Sequence, residues 1–122
     1  MILVDTSIWV DHFRATLPSL VDLIENEQVL VHPFVIGELA LGNLSRRDEV
    51  LARLQDMPSA PVAEDHEVLA AIDAHRLFGA GIGYVDAHLL AAVRLRPGTT
   101  LWTRDKSLRA VVGRLGLNAA VR

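Results

Sequence analysis

The stretch MILVDTS at residues 1–7 decides how the rest of this chain is organised. Four apolar residues followed by three polar ones are typical of a short, buried strand that ends at residue 4. Asp5 then lies where the chain leaves the sheet, and Thr6 or Ser7 can begin a helix. A carboxylate in this position either caps the helix or is the first ligand of a metal site.

The composition limits the class of protein. The 122 residues, 51% of them hydrophobic, are enough for one domain spanning 1–122 with a core of its own. No apolar run approaches the roughly 20 residues of a membrane span, and no signal-like segment is visible, so we expect a cytoplasmic protein. The absence of cysteine excludes thiolate metal sites. A net charge of −3 argues against a generic basic nucleic-acid binder, but not against a nuclease with clustered acids.

Short apolar runs alternate with segments of helical periodicity along the chain. The runs at 29–31 and 99–102 predict two further buried strands, and weaker strands are indicated at 61–62 and 117–119. This alternation favours an α/β fold with a mainly parallel sheet. The glycine-rich segment 79–83 lacks the spacing of a phosphate-binding loop and predicts a helix stop and a turn instead.

Four acidic residues fall at one edge of such a sheet. Asp5 and Asp105 each follow a strand directly. Glu38 lies on the helix that leaves the second strand, and Asp86 begins a helix that returns towards the third. Ligands of parallel sheets collect at the carboxyl ends of the strands, so we expect these four side chains to converge there.

Each of the four acids also has an ordinary structural interpretation. Asp5 and Asp105 can be helix caps, and Asp86 suits the positive end of a helix dipole. Glu38 is harder to explain in this way, because an unpaired acid on a core-facing helix stripe is costly. Together the four favour a divalent cation, and an all-oxygen set selects Mg²⁺ or Mn²⁺ over zinc. The natural chemistry of such a centre is phosphodiester hydrolysis.

Four segments of the chain resemble the signature of PIN domains, and in particular the VapC toxins of bacterial VapBC toxin–antitoxin systems. They are MILVDTS (1–7), PFVIGELALG (33–42), GIGYVDAHLLAA (81–92) and LWTRDKSL (101–108). The resemblance implies a three-layer α/β sandwich around a mainly parallel five-stranded sheet, and a ribonuclease that depends on Mg²⁺ or Mn²⁺.

The resemblance also assigns roles by position. The acidic quartet, catalytic and metal-binding, would consist of Asp5, Glu38, Asp86 and Asp105. Thr6 and Thr103 would support it with their hydroxyl groups. Some relatives carry a further acid where this chain has Ser107, which leaves a second metal position open.

The partners implied by the resemblance are RNA as substrate and a VapB antitoxin that inhibits the enzyme. The antitoxin would also carry the contact with operator DNA, and VapC proteins commonly form homodimers. Candidate RNA-phosphate contacts flank Asp105, namely Arg104, Lys106 and Arg109, although a solvated helix face explains them equally well. Weaker candidates are Arg46 and Arg47. Candidate antitoxin contacts are the apolar residues near Trp9, Leu17 and Leu44.

Two other functions remain open from the sequence. A phospho-acceptor receiver domain has a similar length, but it needs an acidic pair after the first strand, where Thr6 follows Asp5 here. A catalytically inactive PIN scaffold would act only through its partner. None of the five histidines is predicted to be catalytic, since His88 lies about 200° around the helix from Asp86.

Overall fold

A computed structural model describes residues 1–121, which form three strands and seven helices. In chain order these are β1 (Ile2–Val4), α1 (Thr6–Arg14), α2 (Pro18–Glu25), β2 (Val29–Leu30), α3 (Pro33–Ala40), α4 (Arg47–Asp56), α5 (Asp65–Ala74), α6 (Tyr84–Leu95), β3 (Thr100–Trp102) and α7 (Lys106–Arg114). Within 1–121, no helix is both long enough and apolar enough to cross a membrane.

The sheet is parallel, and β1 is its central strand, between β2 and β3. Ile2 lies opposite Val29 on one side and opposite Thr100 on the other. Leu3 and Val4 are fully buried. A strand covered on both faces needs a continuous apolar run, which is what residues 1–4 provide. The predicted α/β fold with a parallel sheet is therefore confirmed.

The prediction of five strands is wrong for the described residues, which contain three. The two outer positions are isolated parallel bridges, in which Ser59 pairs with Val31 and Asn118 pairs with Leu101. The bridge at Ser59 does not lengthen into the edge strand predicted at 61–62, because the next donor on the partner side would be Pro33, which has no N–H and already begins α3. Each outer segment therefore pairs through a single residue.

The helices pack so that the predicted site residues lie at one edge of the sheet. Helix α6 is buried along most of its length, from Ala87 to Val93, and it packs beside β3. Each strand passes into a helix within a few residues, so α1, α3 and α7 all begin near the carboxyl edge of the sheet. The predicted site residues lie at this edge.

Candidate active site

Asp5 lies in the turn between β1 and α1 and is 5% exposed. Its Oδ2 accepts hydrogen bonds from the Ser7 hydroxyl at 2.7 Å and from the Thr103 hydroxyl at 2.7 Å. A longer bond from the Ser7 backbone N–H, at 3.4 Å, makes Asp5 the N-cap of α1. The capping role predicted as one alternative is therefore real, and it occupies only one of the two carboxylate oxygens.

Two hydroxyl groups connect the turn after β1 to the turn after β3. The Ser7 Oγ accepts the Arg104 backbone N–H at 3.0 Å, and the Thr103 Oγ1 accepts the Asp105 backbone N–H at 3.0 Å. A hydroxyl has one proton to donate, and both donate it to Asp5, so both are oriented. The network supports the role given to Thr103 and adds Ser7, which the sequence interpretation did not include.

Asp105 is the N-cap of α7. Its Oδ1 accepts the Leu108 backbone N–H at 2.8 Å, and its side chain is exposed. As with Asp5, the cap uses one oxygen and leaves the other facing away from the helix N–H groups.

Glu38 lies in the second turn of α3 and is exposed rather than buried. Its Oε1 accepts a hydrogen bond from the Thr6 hydroxyl at 2.8 Å, which connects α3 to the start of α1. The prediction that Glu38 interrupts a core-facing stripe is therefore wrong. The Thr6 contact nevertheless brings Glu38 to the same edge of the sheet as Asp5, as the topology predicted.

Asp86 lies in the first turn of α6, where its Oδ2 accepts the Gly83 backbone N–H at 3.0 Å. Burial raises the pKa of Asp86 above the ordinary aspartate value, and the negative charges of Asp5, Asp105 and Glu38 raise it further. The Gly83 hydrogen bond lowers the pKa and partly offsets these effects. All three other acids therefore lie close enough to Asp86 to repel it.

The four carboxylates share one pattern of hydrogen bonding. Each uses a single oxygen as an acceptor from protein donors, and within 1–121 its second oxygen has no protein donor. Carboxylate oxygens of this kind suit Mg²⁺ or Mn²⁺. In the described part of the chain, no three acidic or histidine side chains stand close enough together to hold a metal ion as they lie. Repulsion between like charges favours such a spread arrangement.

The basic candidates divide into two groups. Arg104 Nη1 donates to Asp11 Oδ2 at 2.7 Å, and Arg104 and Arg109 line a cleft of about 240 Å³ beside Thr103. Lys106 lines a different cleft, on the other side of α7. Of the two weaker candidates, Arg47 donates to the Ala40 carbonyl at 3.0 Å and so caps the end of α3.

Two buried histidines, His32 and His88, make no hydrogen bond or ion pair with the acidic quartet within 1–121, and the acid beside His88 is Asp65, whose Oδ1 lies 3.6 Å from the His88 Nε2. His88 is 2% exposed and packs between Phe34 and Tyr84, with ring centroids 4.6 Å and 4.8 Å away. These contacts agree with the prediction that His88 points away from Asp86. His32 caps α3 through its Nδ1, and burial together with the neighbouring His88 lowers the pKa of His32 to about 4.

Comparisons with known proteins identify relatives over nearly the whole chain. The family model for PIN domains matches residues 2–113. Ribonuclease VapC32, from two strains of Mycobacterium tuberculosis, is 47% identical over 120 residues, which cover 98% of this chain and 97% of the relative. The crystal structure of PAE2754 from Pyrobaculum aerophilum superposes with a TM-score of 0.62 at 17% identity and covers 94% of each chain. At that identity the superposition bears on the fold alone.

Proposed function

We propose that this chain, which belongs to the PIN-domain family and within it to the VapC ribonucleases, hydrolyses RNA phosphodiester bonds with the help of a divalent cation. The observation that carries the proposal is the set of hydroxyl contacts at the carboxyl edge of the sheet, where Thr103 and Ser7 bind Asp5 and Thr6 binds Glu38. The pKa of Asp86 is raised first by burial and then by the charges of the other three acids, which agrees with their lying at the same edge. A cluster of carboxylates without a counter-charge is unfavourable, and a cation removes the repulsion.

The residues proposed to hold Mg²⁺ or Mn²⁺ are Asp5, Glu38, Asp86 and Asp105. Each has one oxygen without a protein donor in 1–121, and a set of oxygen ligands suits these hard cations. When bound, the cation supplies Lewis acidity and neutralises negative charge on the phosphodiester.

The chain's own contribution is to orient these ligands. Ser7 and Thr103 hold Asp5 in one rotamer, and Thr6 holds Glu38. The N-termini of α1 and α7 begin beside Asp5 and Asp105, where their dipoles favour the negative charge of a carboxylate or a phosphate. Arg104 and Arg109 border the same turn and are the proposed contacts for RNA phosphates outside the cleaved bond, with Lys106 on the far side of α7.

The proposed physiological role is that of the toxin in a VapBC pair, acting in the cytoplasm as one PIN domain over 1–122. A VapB antitoxin would inhibit it and carry the operator-DNA contact, and the toxin would form a homodimer. Among the candidate antitoxin contacts, Trp9 is 2% exposed and so cannot offer its side chain. Leu44 lines the open groove beside Glu38, where an antitoxin would compete with RNA. Membership of the PIN family removes the receiver-domain alternative.

The deciding experiment compares RNA cleavage by the wild type and by Asp5→Asn in the presence of Mg²⁺. We expect Asp5→Asn to lose more than about 100-fold in rate, since residues that merely orient metal ligands already contribute about 10–100-fold. Glu38→Gln and Asp86→Asn should lose activity to a similar extent, and EDTA should stop the wild-type reaction.

The matched control is Asp73→Asn, an exposed acid on α5 away from the quartet, which should cleave like the wild type. Equal cleavage by wild type and Asp5→Asn would refute the catalytic assignment. An absence of cleavage in both, with a folded wild type, would favour the inactive scaffold.

A further inference from the structure

A groove of about 450 Å³ opens beside Glu38, between α1 and the end of α3 with the turn that follows it. We call it the α1–α3 groove. Its α1 wall is formed by Thr6, Val10, Phe13 and Arg14, which share one helix face. At 1.5 Å per residue, Thr6 and Phe13 are about 10 Å apart along the helix. The groove therefore leads directly from the acidic quartet to Phe13.

Phe13 presents an aromatic surface in this groove. Its ring stacks on Trp9, with centroids 5.9 Å apart and an interplanar angle of 28°, and Trp9 is itself buried. Phe13 remains 37% exposed. His12 also packs against the ring, with centroids 5.8 Å apart, and the exposed part that remains is available for stacking by a ligand.

Three polar side chains lie around this aromatic surface. Arg14, Asn43 and Ser45 all line the groove and are exposed. Within the described residues 1–121, none of these side chains makes a hydrogen bond or an ion pair. The groove thus offers one cation, one amide and one hydroxyl that the fold itself does not use.

We propose that the α1–α3 groove binds a nucleotide next to the scissile phosphate, with its unpaired base stacked on Phe13. Arg14 would contact the backbone phosphate, and Asn43 and Ser45 would bind the base edge. The inference rests on the proposed function, because it takes the substrate to be RNA. A phosphate held at Glu38 places the adjoining nucleotide at the mouth of the groove.

The polar side chains and the aromatic ring of the groove fit single-stranded RNA, whereas its apolar residues Val10, Leu39 and Leu44 would contact an antitoxin that competes with RNA. Proteins recognise unpaired bases by stacking them on aromatic rings and by hydrogen bonds to their exposed edges. A helical peptide would instead use several apolar anchors at regular spacing. The combination of one free ring surface with unused polar groups matches the first mode, and it makes this groove a determinant of sequence specificity.

The test uses the Asp5→Asn background, in which RNA is bound without being cut. Fluorescence anisotropy with Mg²⁺ measures the affinity for short single-stranded oligoribonucleotides of one length and different base composition. We expect Phe13→Leu to weaken binding by about tenfold, within the range for loss of one base–aromatic stack. Asn43→Ala should reduce the differences in affinity between bases, and Arg14→Gln should lower the salt dependence of binding.

The matched controls lie outside the groove. Phe78→Leu removes an exposed ring, and Arg53→Gln removes an exposed arginine on α4, and both should bind RNA like the parent. If Phe13→Leu fails to fold, the exposed residues Arg14 and Asn43 still decide the question. Unchanged RNA affinity and base preference in all three groove variants would overturn the proposal, and a selective loss of antitoxin binding would assign the groove to a protein partner instead.

The outcome for the groove can be distinguished from the outcome for the proposed function. If the wild type does not cleave RNA, the proposed ribonuclease activity fails, while the anisotropy measurements still report whether the groove binds bases. If the wild type cleaves and the groove variants cut with the same base preference next to the cleaved bond, only the groove proposal fails.

Discussion

Two acids of the quartet follow strands, and two lie on helices. The strand-end pair, Asp5 and Asp105, caps α1 and α7, so its negative charges stabilise the fold as well as the site. The helix-borne pair, Glu38 and Asp86, makes one hydrogen bond each, and the pKa of Asp86 is raised by burial and by its neighbours. The same side-chain chemistry is therefore favourable for folding in one pair and unfavourable at Asp86.

The comparison explains how a protein can keep four acids together. If all four carboxylates were buried and repelled as Asp86 is, the repulsion would act against folding without compensation. By using Asp5 and Asp105 as N-caps, and Asp86 as the acceptor of the Gly83 N–H at the start of α6, the fold obtains backbone hydrogen bonds from charges that the site needs in any case. The pKa of Asp86 is raised first by burial and then by the charges of the other three acids, and a bound cation would relieve that repulsion.

The largest expected difference between the pairs is in stability. Asp5→Ala should lower the free energy of unfolding by about 2–4 kcal/mol, because α1 loses its cap and the Ser7 and Thr103 hydroxyls lose their acceptor. Asp86→Asn should be neutral or stabilising by up to about 1 kcal/mol, because it removes a repelled charge while its amide oxygen can still accept from Gly83. Urea unfolding at pH 7 without divalent cations measures both.

Two results would contradict this division. If Asp86→Asn unfolds, the acid is structural and the contrast between the pairs is wrong. If Asp5→Ala is as stable as the wild type, the network around its Oδ2 does not contribute to the fold. Asp73→Asn, on the exposed side of α5, controls for a general effect of removing one negative charge.

The sequence allowed the structural setting of Asp5, Asp105 and Asp86 to be predicted, but not that of Glu38. Strand ends are easy to recognise, so Asp5 and Asp105 could be placed at the carboxyl edge, and capping was one of the two roles predicted for each. Helix α3 is apolar on nearly every side, with Phe34 at its start and the 91% exposed Leu41 at its end. Periodicity therefore could not identify the buried face, and Glu38 was placed on the wrong side.

Long-range contacts account for the remaining differences. Ser7 matters because its hydroxyl meets the backbone of Arg104, which is 97 residues away in sequence. A Ser two positions after an Asp indicates a capped helix start, but it does not indicate which turn the hydroxyl will contact. The outer strands were overestimated for a similar reason, since Ser59 and Asn118 each pair at one residue only.

Removing the hydroxyl group beside Asp5 or beside Glu38 should lower the cleavage rate by different factors, and we expect this effect to be smaller than the effect on stability. Ser7→Ala removes one donor to Asp5 and the acceptor for the Arg104 N–H, so we expect a loss of about 10–100-fold in cleavage rate. Thr6→Val removes the one hydroxyl that holds the exposed Glu38, and we expect a loss near the low end, about tenfold. Single-turnover cleavage at saturating Mg²⁺ separates these losses from weaker metal binding.

The conservative changes Ser7→Thr and Thr6→Ser keep each hydroxyl and serve as controls. They should recover most of the activity if hydrogen bonding to the carboxylates is the relevant contribution. If Thr6→Val is more damaging than Ser7→Ala, the helix-borne pair depends more strongly on its hydroxyl than the strand-end pair does, and the order proposed above is reversed.

The smallest expected effect is the pH dependence of the folding free energy that is lost when Asp86 is ionised. The pKa of Asp86 is raised in the folded protein, so folding favours its protonated form. The penalty is therefore absent below the ordinary aspartate pKa of about 4 and fully present above the raised pKa. The free energy of unfolding of Asp86→Asn minus that of the wild type should be near zero in acid and should grow as the pH rises through the raised pKa.

Saturating Mg²⁺ should remove much of this difference at neutral pH, because only the wild type keeps the Asp86 carboxylate that would bind the cation. A difference that does not change with pH would show that neither burial nor the neighbouring acids raise the pKa of Asp86 in the folded protein.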